Sequence, residues 1–294
     1  MPCTTTCVGA MFIDRIHKVV GTGRPNIGMS EINSRTRGFR GALGRAEYLC
    51  AMSHSTVQVD VLAFGAHPDD VELSAGGTLA KLVAEGKTCA IVDLTRGELG
   101  TRGSAEIRAA EATAAAGILG VSHRENLGLA DGFFDINDDS LRKVISAIRR
   151  LQPSVVIANA LNDRHPDHGR AAALVARVAF LSGLVKIETG SEAAPEMPWR
   201  PRAVYHFIQD QDRVPDVVVN IEGHLETKFK AVMAYASQFH DPQSTEPETP
   251  ISSPEFLDHV RGRATSMGRS AGFKHGEGFE VRRPVGTESL LDLM

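Results

Sequence analysis

From residue 59 onward, short unbroken apolar runs alternate with longer stretches of helical period. VDVLAFGA (59–66), TCAIVDLT (88–95) and PSVVIANA (153–160) are β-prone and apolar at nearly every position, as strands buried on both faces must be. Leu79, Leu82 and Val83 mark a helix running to about Gly86. Ile107, Ala110, Ala114 and Ile118 line one face of a second helix, which Gly120 ends. A short strand spans 125–129. Leu141, Val144, Ile145 and Ile148 then repeat at helical spacing across 138–151, and an Ala-rich helix runs from about His168 to Leu181. Strands alternating with helices of this length predict an α/β fold: a Rossmann-like three-layer sandwich with a mainly parallel sheet. No G-x-G-x-x-G follows the first strand, so a dinucleotide site is disfavoured.

Past the Pro-rich loop 191–201 the pattern loosens. RAVYHFIQ (202–209) and DVVVNIE (216–222) read as strands, 223–238 as a helix and 242–254 as a loop. A last helix carries Phe256, Val260, Ala264, Met267 and Ala271 on one face and leads into GEGFEVRRPV, a tail too short for its own core. It is expected to complete the domain 58–294 around a site. Residues 1–57 are different: seven Lys or Arg stand against three acids, and no apolar period persists. They read as a disordered extension or a start assigned too early, with Met52 the natural beginning, in preference to an Arg-rich transit peptide.

Composition narrows the function classes. A net charge of −4 argues against general nucleic-acid affinity. No run reaches the roughly 20 apolar residues of a membrane span, and no signal-peptide pattern opens the chain. Four cysteines, three of them before the first strong strand, make no disulfide framework, and the expected location is cytoplasmic. Apolar faces within 178–210 are compatible with a homo-oligomer.

The chemistry gathers where two of the buried strands end. The first runs into AHPDD (66–70), the other into NDRHPDH (162–168). In open parallel sheets ligands bind at the carboxyl ends of the strands, so the two clusters can meet there. His67 and Asp70, with His168 at the start of another helix, offer two imidazoles and one carboxylate. That is a three-ligand metal set with a position left for water, and a metal would relieve the repulsion between Asp69 and Asp70. A single Asp in such a turn could be a helix cap. Two clusters at equivalent positions point to a site.

AHPDDVE, TRGELGTRG, EIR and RHPDH together resemble the LmbE-like, or PIG-L, family of zinc-dependent N-acetylglucosaminyl deacetylases. The likeness spans roughly residues 58–285 and includes AYASQF (234–239) and GEGF (276–279). Within the family the chain looks most like the bacillithiol biosynthesis deacetylases, which act on N-acetylglucosaminyl malate. LSAGG after the acidic motif departs from the usual family spacing and leaves the ligands untouched.

The resemblance implies one Zn2+ per chain on His67, Asp70 and His168, with Asp69 as general base. It gives protonated His165 a role at the oxyanion and Asp167 the orienting of that imidazole. Arg108 and Arg164 can grip a carboxylate with two parallel hydrogen bonds, and they match arginines that hold the substrate, here a small anionic sugar conjugate. Glu98, Arg102, Tyr235, Gln238, His240 and Glu277 are further pocket candidates. An inositol conjugate or a chito-oligosaccharide is the alternative substrate. A non-haem iron enzyme would also use two histidines and a carboxylate but leaves Asp69 without a task. A non-catalytic carbohydrate-binding relative would be expected to lose the base or a ligand, and both are present.

Overall fold

A computed structural model describes residues 58–293. The sequence reading of 1–57 as an extension falls outside the described residues. The strands are β1 (Val61–Gly65), β2 (Cys89–Thr95), β3 (His123–Leu129), β4 (Val155–Ala158), β5 (Gly190–Ser191), β6 (Ala194–Pro195), β7 (Ala203–Phe207), β8 (Val217–Asn220) and β9 (Gly276–Val281). The helices are α1 (Asp70–Ala84), α2 (Ala105–Leu119), α3 (Asp138–Leu151), α4 (Pro166–Leu181), α5 (Leu225–Met233) and α6 (Pro254–Ser270). Seven strands form one sheet in the order β3–β2–β1–β4–β7–β9–β8, while β5 and β6 make a separate ribbon within the Pro-rich loop.

The run β3–β2–β1–β4–β7 is parallel throughout. Strand β9, the GEGFEV tail, inserts antiparallel between β7 and β8 and so completes the domain, as the sequence suggested. Alternation along β1 serves two cores. Val61 and Ala63 face one with residues of α1, α2, α5 and α6; Leu62 and Phe64 face the other with residues of α3 and α4. This is the expected three-layer α/β sandwich. Leu62 and Phe64 are fully buried, and cutting either to Ala removes roughly 2–5 kcal/mol.

One helix face differs from the expectation. The buried stripe of α2 is Arg108, Ala112, Ala115 and Leu119, whereas Ile107 and Ile118 are exposed. Small alanines let α2 lie close to α1 and α5, and this rotation carries Arg108 inward to the site. Glycine has a similar use in α1. A Cβ on Gly77 would stand 2.8 Å from Ile221, so only glycine permits the approach. There Glu277 accepts from the Gly77 and Thr78 backbone N–H groups and pairs with buried Lys228 at 2.6 Å. Glu277 therefore locks β9 to α1 and does not face the cleft. Tyr235 is likewise structural, its hydroxyl donating to buried Glu72. Among the described residues no helix is long and apolar enough to cross a membrane.

Candidate active site

Strands β2 and β3 lie on one side of β1 and β4 on the other, so the loops leaving β1 and β4 part and open a crevice. The first loop carries His67 and Asp69 and runs into Asp70 at the start of α1; the second carries Asp163, Arg164 and His165 and runs into Asp167 and His168 in the first turn of α4. The two clusters meet, His168 standing against Asp70.

Asp70 is buried between the two histidines. His168 Nε2 stands 3.2 Å from its Oδ1 and His67 Nδ1 3.6 Å from its Oδ2. Ligand atoms around one tetrahedral zinc-like ion are about 3.3 Å apart, given bonds of about 2.0–2.1 Å. The outer nitrogen of each imidazole is held by carboxylate: His168 Nδ1 donates to Asp163 Oδ2 at 2.5 Å, and His67 Nε2 to Asp131 Oδ1 at 3.0 Å, with Asp167 Oδ2 at 3.5 Å. These bonds orient both rings so that the inner nitrogens face Asp70; once those nitrogens are deprotonated, this is the carboxylate–histidine arrangement that supports a metal ion. Asn159 and Gln209 donate their amide N–H groups to Asp70, while Asn159 Oδ1 and Gln209 Oε1 are buried without a partner. His67 and His168 thus each stand against Asp70 at close to the spacing that neighbouring ligands of one divalent ion keep.

Two other groupings meet there. The ring nitrogens of His67, His165 and His168 lie within 4.8 Å of one another. His165 is only half-buried, however, and its Nδ1 already accepts from the Asp167 backbone N–H at 3.3 Å. Asp131 and Asp167 also cluster with His67, but on its outer nitrogen. Those carboxylates are already satisfied by the Leu99 and Gly132 N–H groups and by Arg170.

The charges follow from the packing. Burial works against the imidazolium of His168, but Asp70 and Asp163 outweigh it and lift the pKa to about 9. Burial likewise opposes charge on His67, which Asp131, Asp167 and Asp70 raise well above its ordinary value. Burial disfavours the Asp70 carboxylate, yet the two histidines hold it well below the usual range. Asp69 is different. Burial pushes it up and Arg108 pulls it down, leaving a pKa of about 7. Its backbone, at φ 112°, lies in a region that non-glycine residues rarely adopt, a strain stored at the turn.

Two of the expected substrate residues are already engaged. The Arg108 guanidinium donates to Asp69 Oδ2 at 2.6 Å and to the Pro68 carbonyl at 2.9 Å. Both bonds come from Nη2, with Nη1 3.5 Å from the Gly97 carbonyl and Nε buried without a partner, so one arm of the guanidinium is committed to the candidate base. Gly97 makes this possible: a Cβ there would stand 2.1 Å from Arg108 Nη1. Arg164 is exposed at the rim, its Nε 2.6 Å from Asp210 Oδ2. The side chain of Asp167 faces His67 and Arg170; only its backbone N–H reaches His165. Burial, His67 and His168 all press the His165 pKa below its ordinary value, a direction opposite to the protonated imidazole expected from the sequence. Asp131, Asp163, Asn159 and Gln209 were missed from sequence. Asp163 lies inside the NDRHPDH motif and could have been found there. The other three carry no local signal.

A cleft of about 440 Å³ opens over these residues, walled by Leu99, Phe133, Pro250, Ile251 and Phe256, with Arg263 of α6 reaching in. That is room for a small sugar conjugate.

Fold and site together define an α/β protein with a His–Asp centre at the switch point of its sheet. Residues 62–179 match the family model described as PIG-L, GlcNAc-PI de-N-acetylase. The conserved protein TT1542 of Thermus thermophilus is similar in structure, with 34% identity, a TM-score of 0.70, and coverage of 79% of this chain and 99% of that one. The chain belongs to the PIG-L family of deacetylases. Diacetylchitobiose deacetylase of Thermococcus kodakarensis is 25% identical over 260 residues, 84% of this chain and 92% of that protein. 4-Oxalmesaconate hydratase of Pseudomonas putida is 28% identical over 210 residues, 63% of this chain and 76% of that protein.

Proposed function

We propose that the protein is a zinc-dependent N-deacetylase that hydrolyses the acetamide of an N-acetylglucosaminyl conjugate, and that the conjugate is N-acetylglucosaminyl malate. The observation that carries the reading is the pairing of two carboxylate-backed histidines around Asp70 with a second buried carboxylate, Asp69, of pKa about 7. Membership of a deacetylase family and the likeness to the chitobiose deacetylase support the chemistry and the sugar.

His67, Asp70 and His168 would hold the ion. When bound, it supplies Lewis-acid polarisation of the acetamide carbonyl and makes water a stronger acid. Asp69 takes the proton from the attacking water; a pKa near the working pH suits a group that must both accept a proton and give it up. The water oxygen bonds to the carbonyl carbon. As the C–N bond breaks, Asp69 returns its proton to the leaving nitrogen, releasing acetate and the free amine. Arg108 fixes Asp69 and compensates its charge. Because His165 Nδ1 accepts from backbone, its Nε2 carries the hydrogen, and the neutral ring can donate it to the oxyanion of the tetrahedral intermediate.

The test is acetate release from a panel of N-acetylglucosaminides with malate, inositol, a second sugar or methyl as aglycone, run beside a hydration assay on an unsaturated dicarboxylate. The malate glycoside should give the highest kcat/KM. Preference for inositol or a second sugar would keep the deacetylase and replace the aglycone. Hydration without acetate release would replace the reaction with that of the hydratase relative.

A further inference from the structure

Three arginines line the cleft: Arg108, Arg164 and Arg263. Arg108 is bound to Asp69 and Pro68, and Arg164 to Asp210. Arg263 makes no hydrogen bond and no ion pair with any of the described residues. It lies seven residues after Phe256 on α6, two helical turns along the same face, and both residues border the cleft.

The acids around it are mostly spent on other partners. Asp163 holds His168 and the backbone N–H groups of Asp210 and Gln211, Asp210 holds Arg164, and Glu277 holds Lys228; Asp212 acts on it only at longer range. Burial works against the charge of Arg263 more than any of these acids supports it. Arg263 is half-buried in a cleft that Phe256, Pro250 and Ile251 also line, its donors face the cleft unpaired by the described residues, and the partner that satisfies its planar fork is a carboxylate.

We infer that Arg263 anchors a carboxylate on the aglycone of the substrate, making it the specificity residue for an acidic sugar conjugate in the place the sequence had offered to Arg108. The inference rests on the proposed deacetylase reading and adds a residue to it. His165 and Asp69 border the same cleft, so one ligand can span the reacting acetamide and Arg263.

The experiment uses the full chain loaded with zinc, as wild type, Arg263→Ala and Arg263→Lys. Two measurements are made on each, with N-acetylglucosaminyl malate and with methyl N-acetylglucosaminide: kcat/KM for acetate release, and direct binding by calorimetry. The ratio of acidic to neutral kcat/KM should fall about 30-fold or more in Arg263→Ala, chiefly through KM, with partial recovery in Arg263→Lys. The binding preference for the malate glycoside should fall in parallel. An unchanged ratio, or equal loss on both glycosides, overturns the inference and leaves Arg263 a structural residue. If wild type released no acetate from either glycoside, the deacetylase reading would fail, and the calorimetry would still decide for Arg263. A carboxylate preference present in wild type and absent in Arg263→Ala supports the anchor; no preference in wild type overturns it.

Discussion

The guanidinium of Arg108 lies 2.6 Å from the carboxylate of Asp69, and both side chains are buried. A cation placed there compensates the charge of the base and fixes its direction. Arg108→Ala should therefore lower kcat by roughly 10²-fold on acidic and neutral glycosides alike, since it leaves Asp69 buried without its partner. Steady-state kinetics on the two substrate types checks this. A loss confined to the acidic glycoside would return Arg108 to the aglycone.

Asp69 adjoins Asp70 without sharing its histidine contacts. Asp69→Asn should keep about one zinc per chain and slow turnover roughly 10²–10⁴-fold. Metal analysis on the purified variant is the check. Loss of zinc with the activity would make Asp69 a ligand.

Asp163 holds the outer nitrogen of His168 and also accepts from the backbone N–H groups of Asp210 and Gln211. Asp163→Asn should weaken zinc affinity about 10- to 100-fold in a chelator competition, while the thermal midpoint of the metal-free protein changes little. Unchanged affinity would mean that the imidazole is oriented by packing alone.

Much of this was legible in the sequence because it is local. Apolar runs gave the strands, and the alternation of strand and helix gave the parallel sheet. Two His-Pro-Asp clusters at strand ends gave the centre. What escaped depends on rotation or on distant chain. The buried stripe of α2 lies one position round from its most apolar residues, since close helix packing selected alanines and left Ile107 and Ile118 outside. Arg108 then points at Asp69, a partner 39 residues away. Asp131 and Gln209 reach His67 and Asp70 across 64 and 139 residues, beyond the range of any local motif. Arg263 sits in a helix whose sequence reads only as amphipathic.

His206 gives the fold a pH dependence of its own. Burial drives its pKa down to about 4, against the opposing hydrogen bond to the Asn159 carbonyl. Between about pH 6.5 and 4 the unfolded chain binds a proton that the folded chain refuses, so stability is full above that window and falls as pH drops through it. From pH 8 to pH 5 this single group should cost about 2 kcal/mol. Urea unfolding of wild type and His206→Gln at both pH values checks it: the loss on acidification should be smaller by that amount in the variant. An equal loss in both proteins would assign the acid sensitivity elsewhere.

Hydrolysis of an acetamide by water at the proposed His67–Asp70–His168 centre would yield one acetate and one free amine per turnover. The most direct measurement is turnover of N-acetylglucosaminyl malate by the zinc-loaded chain in ¹⁸O-labelled water, following acetate and free amine together. The two products should appear in equal amounts, with one labelled oxygen in each acetate and no turnover in His168→Ala. Acetate or amine failing to appear from a protein that holds its metal would contradict it.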